Sequence, residues 1–194
     1  MKSLLVLILS LACTACIQLG GDVQPQHFYL LSPKAEAAGG NSAPLNLSIS
    51  PIEFPSYLDR SQMVSRTPQN ELVISANDRW GEPLQDNLLR VLKENLRRQL
   101  SGLQITSYPW QPETDEGGIL LQLTVNQFDG IPGVQTRVDI RWALVDAETH
   151  RLLVQRHFLT QVPIGTRPAD LVAGLSESLA QLSTAISTEL KQLK

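Results

Sequence analysis

Alternating apolar and polar residues mark several short strands in the first half of the chain. Residues 45–52 alternate with period two, which predicts a strand that buries Leu45, Leu47 and Ile49 on one face. Pro51 predicts either the end of this strand or an edge position in a sheet. A shorter apolar run at residues 27–31 predicts an earlier strand.

Residues 62–67 and 71–76 are also rich in strand formers, and Pro68-Gln69-Asn70 separates them, so this stretch predicts a hairpin. Beyond it, residues 119–125 alternate, and Phe128 breaks their phase, which predicts a bulge or a strand end. Alternation at residues 134–144 and again at 151–162 predicts two more strands, with residues 129–133 as the connecting loop.

Two segments follow helical spacing. One runs from about Pro83 to Ser101, with Gly102 as its stop signal. The other begins near Pro168 and covers about 25 residues, and its apolar stripe recurs every three or four positions. Such a stripe fits a coiled coil or a helix packed on a sheet. The pattern as a whole predicts an α+β fold: a two-layer sandwich, an antiparallel sheet with two main amphipathic helices on one face.

The start of the chain has a different pattern. Lys2 precedes an apolar run from Leu4 to Ala12, which is too short to span a bilayer and is typical of a secretory signal. The small residues before Cys16 predict cleavage there and lipidation of Cys16, with Cys13 as a competing position. Ile17 follows where an aspartate would favour retention at the inner membrane, so we expect the outer membrane.

This interpretation divides the chain into three parts. We predict a lipoprotein signal peptide at residues 1–15, a lipidated tether at 16–26 and a single periplasmic α+β domain at 27–194. Cys13 and Cys16 are the two cysteines of the chain. A mature domain without a thiol excludes cysteine catalysis and cysteine-ligated zinc. The formal net charge of −3, without a Lys/Arg cluster, argues against nucleic-acid binding.

No catalytic motif stands out in the sequence. The three histidines fall in separate predicted strands or turns, and His150 and His157, seven residues apart around one strand, face opposite sides, which is wrong for joint metal binding. Neither a nucleophile elbow nor a phosphate loop is present. The acidic residues 113–116 are typical of a solvated loop. Asp139, between Arg137 and Arg141, fits a solvated sheet face or an interaction surface. We predict no enzyme activity, no catalytic residue, no cofactor and no metal.

Two segments contain aromatic and charged residues that a purely structural role would not require. Tyr57, Leu58, Asp59 and Arg60 follow one another where only a turn is required, and Trp80 stands just before a predicted helix. We predict that these residues bind a partner protein. The alternative is structural, with Trp80 covering the core and Asp78 capping the helix.

These two segments, in this order, are among the features in which the chain resembles the ABC-type transport auxiliary lipoproteins, also called PqiC-like lipoproteins. The resemblance covers essentially the entire mature chain, and Ser61 departs from it where many relatives have proline. The matching residues are Cys16, Phe28-Tyr29-Leu30-Leu31, Pro55, Tyr57-Leu58-Asp59-Arg60, Gln62, Val64, Trp80, Pro83-Leu84, Leu92, Asn95-Leu96, Gln99-Leu100, Val125, Phe128-Asp129-Gly130, Trp142 and Leu144.

The resemblance implies a non-catalytic accessory component of an MCE/ABC-type intermembrane lipid transport system. Its implied partners are an MCE-domain protein that spans the periplasm and an inner-membrane permease, often with an ATPase. The lipoprotein would hold the end of the MCE protein at the outer membrane and could assemble as a homo-oligomeric ring. Two rival readings are a periplasmic lipid-binding carrier and an envelope-assembly lipoprotein.

Overall fold

The computed structural model describes residues 24–37, 44–106 and 118–193. The predicted signal peptide, Cys16, most of the tether and the acidic residues 113–116 lie outside the described residues. Within them, eight strands, one 3-10 turn and two long helices follow in chain order: β1 (His27–Tyr29), β2 (Leu45–Ile49), the turn (Ser56–Leu58), β3 (Gln62–Arg66), β4 (Leu72–Trp80), α1 (Leu84–Gln99), β5 (Leu103–Thr106), β6 (Gly118–Ile131), β7 (Gln135–Asp146), β8 (Leu152–Thr160) and α2 (Pro168–Gln192).

The larger sheet has the strand order β5-β2-β6-β7-β8. Strands β6, β7 and β8 form an antiparallel meander, whereas β2 pairs in parallel with both β5 and β6. Parallel neighbours require a crossover, and α1 supplies it between β2 and β5. The α+β class with two main helices is confirmed, and the sheet that carries them is mixed.

The smaller sheet has the order β1-β4-β3. The predicted hairpin is confirmed as β3 and β4, which pair antiparallel, while β1 runs parallel to the last residues of β4. Strand β4 is longer than predicted and continues to Trp80, because Ser75, Asp78 and Arg79 have hydrogen-bonding partners in or beside the small sheet. The prediction that Pro51 follows the end of a strand is also confirmed, since β2 ends at Ile49.

The phase break at Phe128 is a bulge. The register between β6 and β7 shifts between Val125 and Gln127, so Phe128 turns into the core and is 1% exposed. The strand then continues through residues 129–131, which the sequence predicted as loop. Here long-range pairing with β7 prevails over the turn preference of Asp129-Gly130.

Helix α2 begins at Pro168 and has 25 residues, as the leucine spacing predicts. It packs on β6, β7 and β8 and on α1, which favours the helix-on-sheet interpretation over a coiled coil. Its buried serines donate to carbonyls of the preceding turn, for example Ser183 to Leu179 at 2.7 Å, so that small side chains lie in the interface without unpaired hydroxyls. Neither described helix is both long and apolar enough to cross a membrane.

Candidate partner-docking groove

The two segments selected from the sequence come together in the structure. Trp80, at the end of β4, donates its backbone N–H to the carbonyl of Ser61 at 2.7 Å, just before β3. The Arg79 guanidinium donates to the Ser61 hydroxyl at 3.0 Å. Phe54, residues 58–61 and residues 80–86 therefore line one open groove of about 500 Å³, which we call the docking groove.

The docking groove has an apolar floor and a charged rim. Leu58, Trp80 and Leu84 form the floor and are 2%, 6% and 3% exposed. Asp59 and Arg60 are exposed at the rim, directly after the 3-10 turn that presents them. Such a combination is typical of a protein-binding site, in which apolar contact gives affinity and charges give specificity.

Acidic groups predominate on the opposite rim. Glu82 and Asp86 line the groove beside the start of α1, and Glu82 accepts from Arg90 at 2.7 Å. The Arg90 side chain is half exposed, so this ion pair contributes little to stability. With Asp59 on the other side, carboxylates outnumber cations among the lining residues, which favours a partner segment that carries basic side chains.

The predicted site residues differ in their surroundings. Leu58 and Trp80 lie in the core cluster as well as in the groove floor, so the structural explanation accounts for most of their surface. Core packing does not account for Asp59 and Arg60, which are exposed and lie outside the core cluster. Asp78 does not cap α1, because it lies in β4 and accepts from Ser75 at 2.7 Å, while the helix begins after Pro83 without a side-chain cap.

Tyr57 is absent from the groove lining and belongs to a buried cluster behind it. Its hydroxyl donates to Asp129 Oδ2 at 2.7 Å, and Arg66 Nε donates to the same oxygen at 2.8 Å. Gln127 Nε2 donates to Asp129 Oδ1 at 2.7 Å, and the Asp129 side chain is fully buried. We call these four residues the Asp129 cluster.

The Asp129 cluster joins the two sheets. Arg66 is the last residue of β3 in the small sheet, whereas Asp129 and Gln127 lie in β6 of the large sheet. The Arg66 guanidinium also lies over the Tyr57 ring, 5.1 Å from its centroid. Burial and then the hydrogen bond to Asp129 raise the pKa of Tyr57 to about 12. Because Tyr57 immediately precedes Leu58, the cluster supports the floor of the docking groove at Leu58.

The alternative interaction surface on β7 is a polar network open to solvent. His157 lies 2.9 Å from Asp139, and Asn126 donates to the same carboxylate oxygen at 2.8 Å. Partial burial opposes ionisation, but the hydrogen bonds from Asn126 and His157 hold the pKa of Asp139 below its ordinary value. Of the described residues, no three His, Cys, Asp or Glu side chains are grouped so as to bind a metal ion.

Known proteins resemble this chain both in sequence and in fold. The family model for the ABC-type transport auxiliary lipoprotein component matches residues 29–187. The chain is 28% identical to the intermembrane transport lipoprotein PqiC of Escherichia coli K12 over 199 residues, covering 100% of both chains, and equally to PqiC of Shigella flexneri. A crystal structure of a Xanthomonas campestris protein has the same fold, with a TM-score of 0.70, 15% identity, and 86% and 96% of the two chains covered.

Proposed function

This chain belongs to the ABC-type transport auxiliary lipoprotein family, and on that premise we propose that it is a non-catalytic accessory component of an intermembrane lipid transport system. In this proposal Cys16 carries the lipid anchor, which holds the domain on the periplasmic side of the outer membrane. The docking groove binds an MCE-domain protein that spans the periplasm from an inner-membrane permease. Energy for transport comes from those partners.

One observation carries the proposal: two segments about 20 residues apart in sequence meet around a single open groove. The floor of Leu58, Trp80 and Leu84 is packed into the core and fixes the shape of the groove. The exposed Asp59 and Arg60 provide charge at its rim. A homo-oligomeric ring, as the family resemblance implies, would repeat this groove around one axis. The name of PqiC, an intermembrane transport lipoprotein, supports the same role.

The rival function of a lipid carrier needs an apolar cavity between the helices and the sheet. The leucines that could line such a cavity are instead packed into the core. Their side chains are at most 1% exposed: Leu88, Leu92 and Leu96 of α1, and Leu175, Leu179 and Leu182 of α2. Docking therefore remains the function that the geometry supports best.

The first experiment is a crosslinking pull-down of the native lipoprotein from cells, followed by mass spectrometry. Recovery of an MCE-domain protein and its permease is the expected result. Recovery of outer-membrane assembly machinery instead would contradict the proposal, and recovery of lipid alone would favour the carrier.

Charge reversal then tests the groove itself. We expect Asp59→Lys with Arg60→Glu to reduce recovery of the MCE protein several-fold without changing the melting temperature, because both side chains are exposed. Glu148→Lys with Arg97→Glu is a matched control, since these residues are also exposed and lie outside the groove lining. Equal recovery with both double variants would refute docking at this groove.

The anchor has its own test. Cys16→Ala should yield a precursor that is not labelled by radioactive palmitate in cells, because the thiol that accepts the lipid is gone. Cys13→Ala is the control and should be labelled normally. Normal labelling of the Cys16 variant would contradict the assignment.

A further inference from the structure

The tip of the β3–β4 hairpin carries an exposed apolar patch. Three consecutive residues of β4, Leu72, Val73 and Ile74, are 40%, 45% and 48% exposed. Successive residues of a strand point to opposite faces, so both faces of the hairpin are apolar at this point. An exposed strand of this kind invites aggregation unless something covers it.

The edge of β4 is open along the same residues. Among the described strands, β1 pairs with β4 only from Asp78 to Trp80, so residues 72–77 have no strand neighbour on that side. A fourth exposed apolar residue, Val134 at 51%, lies in the β6–β7 turn. That turn lies at the same end of the molecule as the hairpin tip, because Val73 and Pro132 line one groove. In addition, Arg66 lies beside the tip and bonds to Asp129 near the end of β6. We call Leu72, Val73, Ile74 and Val134 the apolar end.

The direction of β1 places the start of the domain at the apolar end. Strand β1 runs parallel to β4 and begins beside Asp78, so its N-terminal end faces the hairpin tip rather than the docking groove. Cys16 precedes His27 by eleven residues. A chain of that length reaches at most about 40 Å, which places the predicted lipid anchor within reach of the hairpin tip.

We propose that the apolar end is a membrane-seating surface, which inserts into the interfacial region of the phospholipid bilayer that holds the lipid anchor. A few exposed apolar side chains bind a bilayer weakly on their own. The anchor keeps them at a high effective concentration beside the same membrane, so even weak insertion becomes persistent. Seating fixes the orientation of the domain, and it directs the docking groove, at the opposite end of the small sheet, away from the membrane.

Depth-dependent fluorescence tests this proposal with the full-length lipidated protein in vesicles of phosphatidylethanolamine and phosphatidylglycerol. No MCE protein is present, so the result is independent of the docking proposal. A single introduced cysteine carries the environment-sensitive dye NBD, since Cys13 is removed with the signal peptide and Cys16 is acylated. The positions are Ile74→Cys and Val134→Cys, with Leu152→Cys as the control, because Leu152 is 56% exposed and pairs with Val145 at the far end of the large sheet.

We expect blue-shifted emission at positions 74 and 134, and quenching by nitroxide-labelled lipids that is several-fold stronger than at position 152. Replacing Leu72 and Val73 by serine should reduce the quenching at 134 while the far-UV circular dichroism stays unchanged. Equal, weak quenching at all three positions would overturn the proposal. A blue shift at position 74 that depends on protein density and resists lipid quenching would also overturn it, because a second copy would then cover the patch.

Discussion

The substitution Asp129→Asn tests whether the Asp129 cluster holds the two sheets together. The carboxylate is fully buried and accepts three hydrogen bonds, from Tyr57, Arg66 and Gln127, at 2.7–2.8 Å. Asparagine keeps the shape of the side chain but removes its charge, and its amide group presents donors where the carboxylate presents acceptors. We therefore expect a large loss of stability.

The size of the expected loss in stability follows from the surroundings of the Asp129–Arg66 ion pair. Breaking a buried ion pair costs about 3–5 kcal/mol when the remaining charge stays buried. Arg66 is 22% exposed on its side chain and can recover some hydration, so we expect Asp129→Asn to lower the free energy of unfolding by about 2–4 kcal/mol. In a double-mutant cycle with Arg66→Met, we expect a coupling of about 1–3 kcal/mol.

Urea unfolding followed by tryptophan fluorescence and circular dichroism measures this free energy. Asp139→Asn is the matched control, because Asp139 also accepts hydrogen bonds on the large sheet but pairs with the half-exposed His157. We expect the control to cost about 0.5 kcal/mol or less. Similar losses for the two variants, or no coupling between Asp129 and Arg66, would refute the structural role assigned to the cluster.

Three further predictions concern stability. Trp80→Ala should cost about 3–5 kcal/mol in urea unfolding because the indole is 6% exposed in the core; a cost below about 1 kcal/mol would contradict this placement. Asn95→Ala should cost about 2–3 kcal/mol in the same assay, since the fully buried Asn95 accepts the backbone N–H groups of residues 34–35 at 3.1 Å, whereas the exposed Arg97→Ala should cost little. Tyr57 keeps its proton in the folded state up to about pH 12 but loses it near pH 10 when unfolded, so stability should fall as pH rises through that window. We expect a loss of about 1–2 kcal/mol, reduced because the ring is partly exposed, and Tyr57→Phe should abolish this part of the alkaline decline in pH-dependent unfolding.

The elements with the longest periodic patterns were predictable from the sequence. Helix α2 repeats its apolar stripe over seven turns, and Pro168 marks its first residue, so both its length and its start follow from local rules. The bulge before Phe128 was also predictable, because a change of phase along one strand is visible without knowledge of its partner.

Strand partners and buried polar contacts were not predictable in the same way. Strand β2 lies between β5 and β6, which begin more than fifty residues later, and nothing in its own alternation specifies parallel neighbours. The short strand β5 is too brief to carry a pattern. Asp129 reads as a turn residue before Gly130, and its burial depends on Arg66, 63 residues away. The one signal in the sequence was Phe128, because its break in the alternation indicates a bulge. After a bulge the strand can continue into Asp129.

The small sheet explains how anchoring and docking could be separated in one domain. Strand β4 runs from the apolar end at Leu72 to the docking groove at Trp80, so a single strand connects the two surfaces. A connection of three strands is too small to be rigid by itself, because a small sheet needs packing against another layer for stability. The Asp129 cluster supplies this support, because Arg66, which pairs with Leu72 at the apolar end, bonds to Asp129 in the large sheet. Tyr57, which precedes the groove residue Leu58, bonds to the same carboxylate. Weakening the cluster should therefore loosen the groove relative to the apolar end, although no residue of the cluster lies in the groove itself.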